Sequence, residues 1–203
     1  MLRVVLTPKP APATTTSAHC LVGSMADPNA DYLNMSVEEY TQRWEGRWKN
    51  NYTPWDMGEP APGLVQLFKE DMFGDTGTAL VPGCGTGYEV VWISSYKNWS
   101  AVGIDISEKA IQVASSKATA RASFRVGDFF SLGSETFDLA FDHLFLCALQ
   151  PKQRQDWATK YASLIKKSGK LVTYIWPINA EKKDGKFKEL ISRTTLCSVS
   201  RTT

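Results

Sequence analysis

From residue 78 onward, short apolar runs alternate with longer segments in which apolar positions recur every three or four residues. The runs Thr78–Val81, Ala101–Ile104, Ser123–Val126, Phe137–Phe141 and Lys170–Ile175 are of strand length. Between them the spacing predicts helices over about Tyr88–Tyr96, over a segment opened by Ser107 with Glu108 in its first turn, and over Lys152–Lys167, closed by Gly169. Such alternation builds a mostly parallel sheet with helices on both faces, the doubly wound α/β architecture.

Ahead of this core the period is helical. Ser36 and Glu39 form a capping-box pattern, and Tyr40, Trp44 and Trp48 follow at four-residue intervals on one helix face. Tyr52-Thr53-Pro54-Trp55 ends that helix. A second short helix, Gly63–Glu70, turns Leu64, Leu67 and Phe68 inward, so residues 36–70 read as an N-terminal cap on the domain. Residues 1–35 read as a disordered leader. Its first 26 residues hold no Asp or Glu and run through PKPAPATTTS, with Met25 as a second possible start. The acid-free, hydroxyl-rich composition also fits a mitochondrial transit peptide; without that role the expected location is cytoplasmic.

Composition narrows the partners. With 203 residues, 43% hydrophobic, the chain can bury one sizeable core, and 23 Lys plus Arg against 21 Asp plus Glu leave a charge of +2. No basic block suggests nucleic acid or a membrane surface, and no apolar run is long enough for a membrane span, so the expected partner is a small molecule. Cys20, Cys84, Cys147 and Cys197 lie far apart without a C-x-x-C pair, which predicts neither a disulfide framework nor a metal site. Cys84 and Cys147, in apolar surroundings, read as packing residues.

Three segments carry candidate chemistry. Leu80-Val81-Pro82-Gly83-Cys84-Gly85-Thr86-Gly87 runs from a strand through alternating glycines into a helix, where glycine allows close backbone approach to a ligand at the carboxyl edge of the sheet. The same loop can also serve packing alone. Tyr88 replaces the last glycine of the dinucleotide fingerprint, and no lysine follows Gly87 as in a P-loop, which disfavours a nicotinamide oxidoreductase and a nucleoside triphosphate. Asp105 ends the next strand, 22 residues past Gly83, where a carboxylate can accept both hydrogen bonds of a ribose diol; taken singly it is equally a turn or cap residue. Gly127-Asp128-Phe129 closes the strand after that. It can offer a carboxylate to an adenine amino group and an aromatic face to the ring, or be a loop Asp beside a core Phe.

The segments ALVPGCGTGYEV, VGIDIS, GDFF and FDLAFDHLFLCALQP resemble the thiol and halide methyltransferases of the thiopurine methyltransferase group. The resemblance covers about Ser36 to Ile178 and implies a class I, Rossmann-like methyltransferase fold with S-adenosylmethionine as cofactor. It implies methyl transfer to a small thiol, hydrosulfide or halide. It also implies cofactor contacts from Trp44, Trp48, Trp55, Gly83, Asp105, Asp128, Phe129 and His143, to which the glycine pattern adds Gly85 and Gly87. Aromatic faces suit a sulfonium, a cation without N–H donors, although the same tryptophans can staple the cap to the core. His143 is the candidate catalytic residue, able to orient or deprotonate a thiol.

After Ile178 the resemblance ends. Residues 179–203 read as an atypical, truncated tail with room for one short helix around Lys186–Ser192 but not for the final antiparallel strands of the fold. Two expectations follow. The strand Lys170–Ile175 presents an apolar edge that either the tail after Asn179 folds back to cover, or another subunit pairs with, or that leaves the chain unstable, the last two being favoured, and an inactive, cofactor-binding chain acting through a partner stands as the alternative to an active enzyme.

Overall fold

The computed structural model describes residues 2–6, 35–178, 182–183, 186–187 and 191–199. The capping box forms as the sequence predicts: the Ser36 hydroxyl accepts from the Glu39 amide and the Glu39 carboxylate from the Ser36 amide, opening α1 (Val37–Lys49). Helix α2 (Pro62–Lys69) follows with proline in its first turn, where the missing N–H costs no helix bond, and it buries Leu64, Leu67 and Phe68.

At one rim of the sheet lies β1 (Leu2–Leu6); the parallel core begins at β2 (Thr76–Pro82) and continues through α3 (Tyr88–Ser95), β3 (Asn98–Asp105) and α4 (Glu108–Ser115). Then come β4 (Ala122–Val126), β5 (Phe137–His143), the single turn α5 (Phe145–Ala148), α6 (Arg154–Leu164) and β6 (Ile165–Ile178). Strands β6, β5, β2, β3 and β4 lie side by side, all parallel. The chain builds outward from β2 through β3 to β4 and then crosses to β5 on the other side of β2. That reversal opens a crevice beyond the carboxyl ends of β2 and β5, where open α/β sheets bind ligands.

Two apolar layers flank the sheet. One packs α2 and α3 around Phe68, Val90, Ile93 and Trp99; the other packs α6 through Tyr161 and Leu164 against Phe129, Phe137 and Leu171. The helix expected over Lys152–Lys167 stops at Leu164. Residues 165–169 instead form a bulged start of β6, Lys166 pairs with Asp138 at 2.9 Å, and an added Cβ on Gly169 would meet the Phe137 and Asp138 carbonyls at 2.9 and 3.0 Å.

The largest departure from the sequence reading is at the sheet edge. The open edge predicted for Lys170–Ile175 is filled by the chain's own tail, because β9 (Ile191–Val199) pairs antiparallel with β6 from Lys170↔Ser198 to Ile178↔Ile191. Strand β1, inside the segment read as a disordered leader, pairs antiparallel with β9 in turn. The sheet therefore has seven strands, and the missing antiparallel strands and the unpaired apolar edge are both corrected. The inference of self-association through that edge loses its basis, since the N–H and C=O groups it needed are taken. The β-branched residues Ile191, Thr194, Thr195 and Val199 carry strand propensity under a Ser/Thr-rich composition that reads as low complexity. Nor does the short helix start at Lys186, since β8 (Lys186–Phe187) pairs with β7 (Lys182–Lys183). Met25, Cys20 and the rest of residues 7–34 lie outside the described residues.

Among the described residues no helix is long and apolar enough to cross a membrane, and no cluster of His, Cys, Asp and Glu could hold a metal ion. Cys84 is a free thiol.

Candidate functional site

The turn after β2 places Gly83 at φ 59°, Gly85 at φ 51° and Gly87 at φ 79°, a left-handed run that side chains resist. A Cβ on Gly83 would come within 2.8 Å of Phe145, and one on Gly85 within 3.0 Å of Trp48. The loop is tied to the next strand by the Gly85 amide, which donates to Asp105 Oδ2 at 3.1 Å, while the Ser107 amide donates to Oδ1 at 3.0 Å. Burial pushes the Asp105 carboxyl above its ordinary range, opposed by the Ser107, Gly85 and Ile106 amides. Those amides fix the carboxylate at the strand end and leave its remaining lone pairs for a ligand.

A cavity of about 740 Å³ opens over this edge. Its walls include nine of the ten residues singled out in the sequence: Trp44, Trp48 and Trp55 from the cap; Gly83, Gly85 and Asp105; and Asp128, Phe129 and His143. Gly87 is the exception. It caps α3 facing Phe124 and Ala114, so its positive φ serves packing and not the cavity wall. Asp128 lines the cavity and also caps the short 3-10 turn Phe129–Ser131, accepting from the Phe130 amide and the Ser131 hydroxyl. Phe129, almost fully buried, packs on Tyr161 and Phe145.

The tryptophans form an edge-to-face chain, Trp44 on Trp55 at 5.3 Å and Trp55 on Trp48 at 6.2 Å. A cation already stands on part of it: the Arg47 guanidinium lies over Trp44, Tyr52 and Trp55 at 5.1, 5.8 and 5.7 Å. Helix α1 is held over the site by Glu45, whose Oε2 accepts from the Ser107 hydroxyl at 2.5 Å and the Lys109 amide at 3.1 Å. Burial pushes the Glu45 carboxyl up, but these bonds and Lys49 outweigh it and hold it below the usual carboxylate range. The Tyr40 hydroxyl donates to the Ala148 carbonyl, a second clasp between cap and core.

Several residues of the site escape sequence reasoning. Glu89 reads as an ordinary first-turn acid of α3, yet it is buried, accepting from the Ala61 amide at 3.2 Å and lying 2.8 Å from His143 Nδ1. Leu144, at φ 63°, holds a strained left-handed conformation where β5 meets the cavity. Asp142, fully buried behind His143, accepts from the Trp157 indole at 2.7 Å, the Leu146 amide at 3.1 Å and the Tyr161 hydroxyl at 3.3 Å. Cys84 is buried, and burial first, then the charges of Asp105 and Glu89, push its thiol well above the ordinary range, which suits a packing role.

Residues 39–188 match the family model of thiopurine S-methyltransferase (TPMT). The chain belongs to that family. The cofactor of the family is S-adenosylmethionine. Among curated proteins, a probable thiol methyltransferase 2 of Arabidopsis thaliana is 40% identical over 73% of this chain and 67% of its own length. A thiocyanate methyltransferase 1 of the same plant is 40% identical over 73% of this chain and 66% of its own. The chain thus spans about two thirds of the length of these relatives. A solved structure described by the conversion of a disulfide bond into a thioacetal group during echinomycin biosynthesis superposes with a TM-score of 0.60 at 26% identity, over 69% of this chain and 62% of the other. The donor set suits the thiopurine S-methyltransferase cofactor: a strand-end carboxylate over a loop without side chains, an aromatic wall at Phe129, and indoles opposite.

Proposed function

We propose that this chain transfers a methyl group from S-adenosylmethionine to a small thiol-type acceptor. The observation that carries the reading is the convergence of Gly83, Gly85, Asp105, Asp128, Phe129 and the indoles of Trp48 and Trp55 on one cavity at the switch point of the sheet. Asp105 is suited to the ribose diol, Asp128 to the adenine amino group and Phe129 to the ring, while the tryptophans supply apolar, electron-rich surface for a sulfonium. Bound there, the cofactor supplies an electrophilic methyl group. The residues of the chain bind and align both partners and exclude water through the α1 cap, since an in-line displacement in which charges cancel gains most from positioning and desolvation.

Calorimetry with S-adenosylmethionine, followed by methyl-transfer assays on hydrosulfide, a small thiol and iodide, tests the reading. Saturable cofactor binding with transfer to a sulfur acceptor is expected; absence of cofactor binding by the folded chain would sink it. Asp105→Ala should weaken cofactor binding by about 1.5–3 kcal/mol, the scale of hydrogen bonds to a charged group. An unchanged dissociation constant in the same titration would remove Asp105 from the ribose.

A further inference from the structure

Around His143 the structure carries more than a cofactor wall. Its Nδ1 faces Glu89 Oε1 at 2.8 Å, and a carboxylate only accepts, so Nδ1 carries a proton and Nε2 is the ring nitrogen left to hold a lone pair. That Nε2 is buried without a hydrogen-bond partner. A buried polar atom left unsatisfied is costly and calls for a partner that arrives from elsewhere. The ring is fixed from its other sides by Tyr174, edge-on at 5.4 Å, and by Phe141 at 6.0 Å.

His143 lines two spaces at once, the large cavity and a recess of about 50 Å³ that shares the Gly83–Gly85 turn with it. Trp48, Trp55, Gly83, Gly85 and Leu144 also border both. The recess has room for a few heavy atoms and none for a fused ring. Its charged walls are all acidic: Asp56, Glu59 and Glu89 line it, and no Lys or Arg does. Such a wall repels a permanent anion.

Given methyl transfer as the reaction, we propose that the acceptor enters this recess as a neutral, proton-bearing thiol of a few heavy atoms, that His143 Nε2 takes its proton, and that Glu89 is the positioning residue of the pair. The S–H bond breaks with its proton going to Nε2. The sulfur electron pair forms the new bond to the methyl carbon as the bond from that carbon to the sulfonium breaks, its pair remaining on the donor sulfur. The imidazolium so formed is balanced by Glu89 and returns its proton to water. A thiocyanate or iodide ion brings no proton and meets three carboxylates, so the arrangement discriminates against it.

The test uses the full chain, with nitrogen-15 imidazole spectra to read the tautomer and parallel methyl-transfer assays on methanethiol, iodide and thiocyanate. The chain has two histidines, and His19→Gln assigns the signals. In the unsubstituted chain His143 should show a protonated Nδ1 and an unprotonated Nε2, and methanethiol should be preferred over both anions. Glu89→Gln keeps an acceptor for the Ala61 amide but removes the charge. It should shift the tautomer toward Nε2–H, lower methanethiol transfer on the order of 10²-fold, and raise iodide transfer relative to it. A protonated Nε2 in the unsubstituted chain, a preference for thiocyanate, or an equal loss on thiol and iodide in Glu89→Gln would each overturn the proposal while leaving methyl transfer intact. A folded chain that methylates none of the three acceptors would instead refute the underlying reaction.

Discussion

Asp142→Ala should cost about 3–5 kcal/mol of stability near pH 4, and the cost should shrink by on the order of 3 kcal/mol as pH rises past 6. The carboxyl lies in a dry core and is the acceptor for the Trp157 indole, the Tyr161 hydroxyl and the Leu146 amide, which join β5, α5 and α6. Truncation leaves those donors without a partner. Burial, only partly offset by these bonds, raises the carboxyl from 3.8 to about 6. The folded state therefore holds its proton more tightly than the unfolded chain, so stability from this group is fully present below 3.8 and declines as pH rises to about 6. Urea unfolding of both chains from pH 4 to 7.5 measures the difference. A cost that grows with pH would mean that the ionised carboxylate is the favoured folded form and would overturn the account.

Gly87→Ala should destabilise the fold by about 2–4 kcal/mol although the position borders no part of the cavity. A left-handed conformation costs a residue with a Cβ roughly 1–2 kcal/mol, and overpacking adds about 1–3 kcal/mol. The Cβ would lie 2.4 Å from Phe124 Cε1 and 3.2 Å from Ala114, where α3 is drawn onto β4 and α4. Combining Gly87→Ala with Phe124→Leu should recover the packing part but not the backbone part, so the two substitutions should be non-additive in a double-mutant cycle. Strict additivity would show that Phe124 moves aside freely. Cofactor affinity of the folded fraction should stay near that of the unsubstituted chain, which distinguishes Gly87 from Gly83 and Gly85.

Local physics made much of this molecule legible from the sequence. The Ser36–Glu39 box, the four-residue spacing of Tyr40, Trp44 and Trp48, the strand-turn-helix at Gly83–Gly87 and the strand-end Asp105 are short-range patterns, and each appears where its spacing puts it. Apolar runs of strand length between helical periods likewise specified the five parallel strands. Pairing partners are another matter. Whether Ile191–Val199 is a tail or a strand depends on an unpaired β6 more than ten residues earlier, and whether Leu2–Leu6 is a leader depends on that tail, so the sequence alone read one as an atypical tail with room for a short helix and the other as a disordered leader. Side-chain pairings obey the same limit. Glu89 and His143 are 54 residues apart, and Asp142 meets Trp157 only because α6 folds back over β5. A carboxylate in a helix first turn looks alike in sequence whether it faces water or an imidazole; chain topology, through the burial it imposes, decides which.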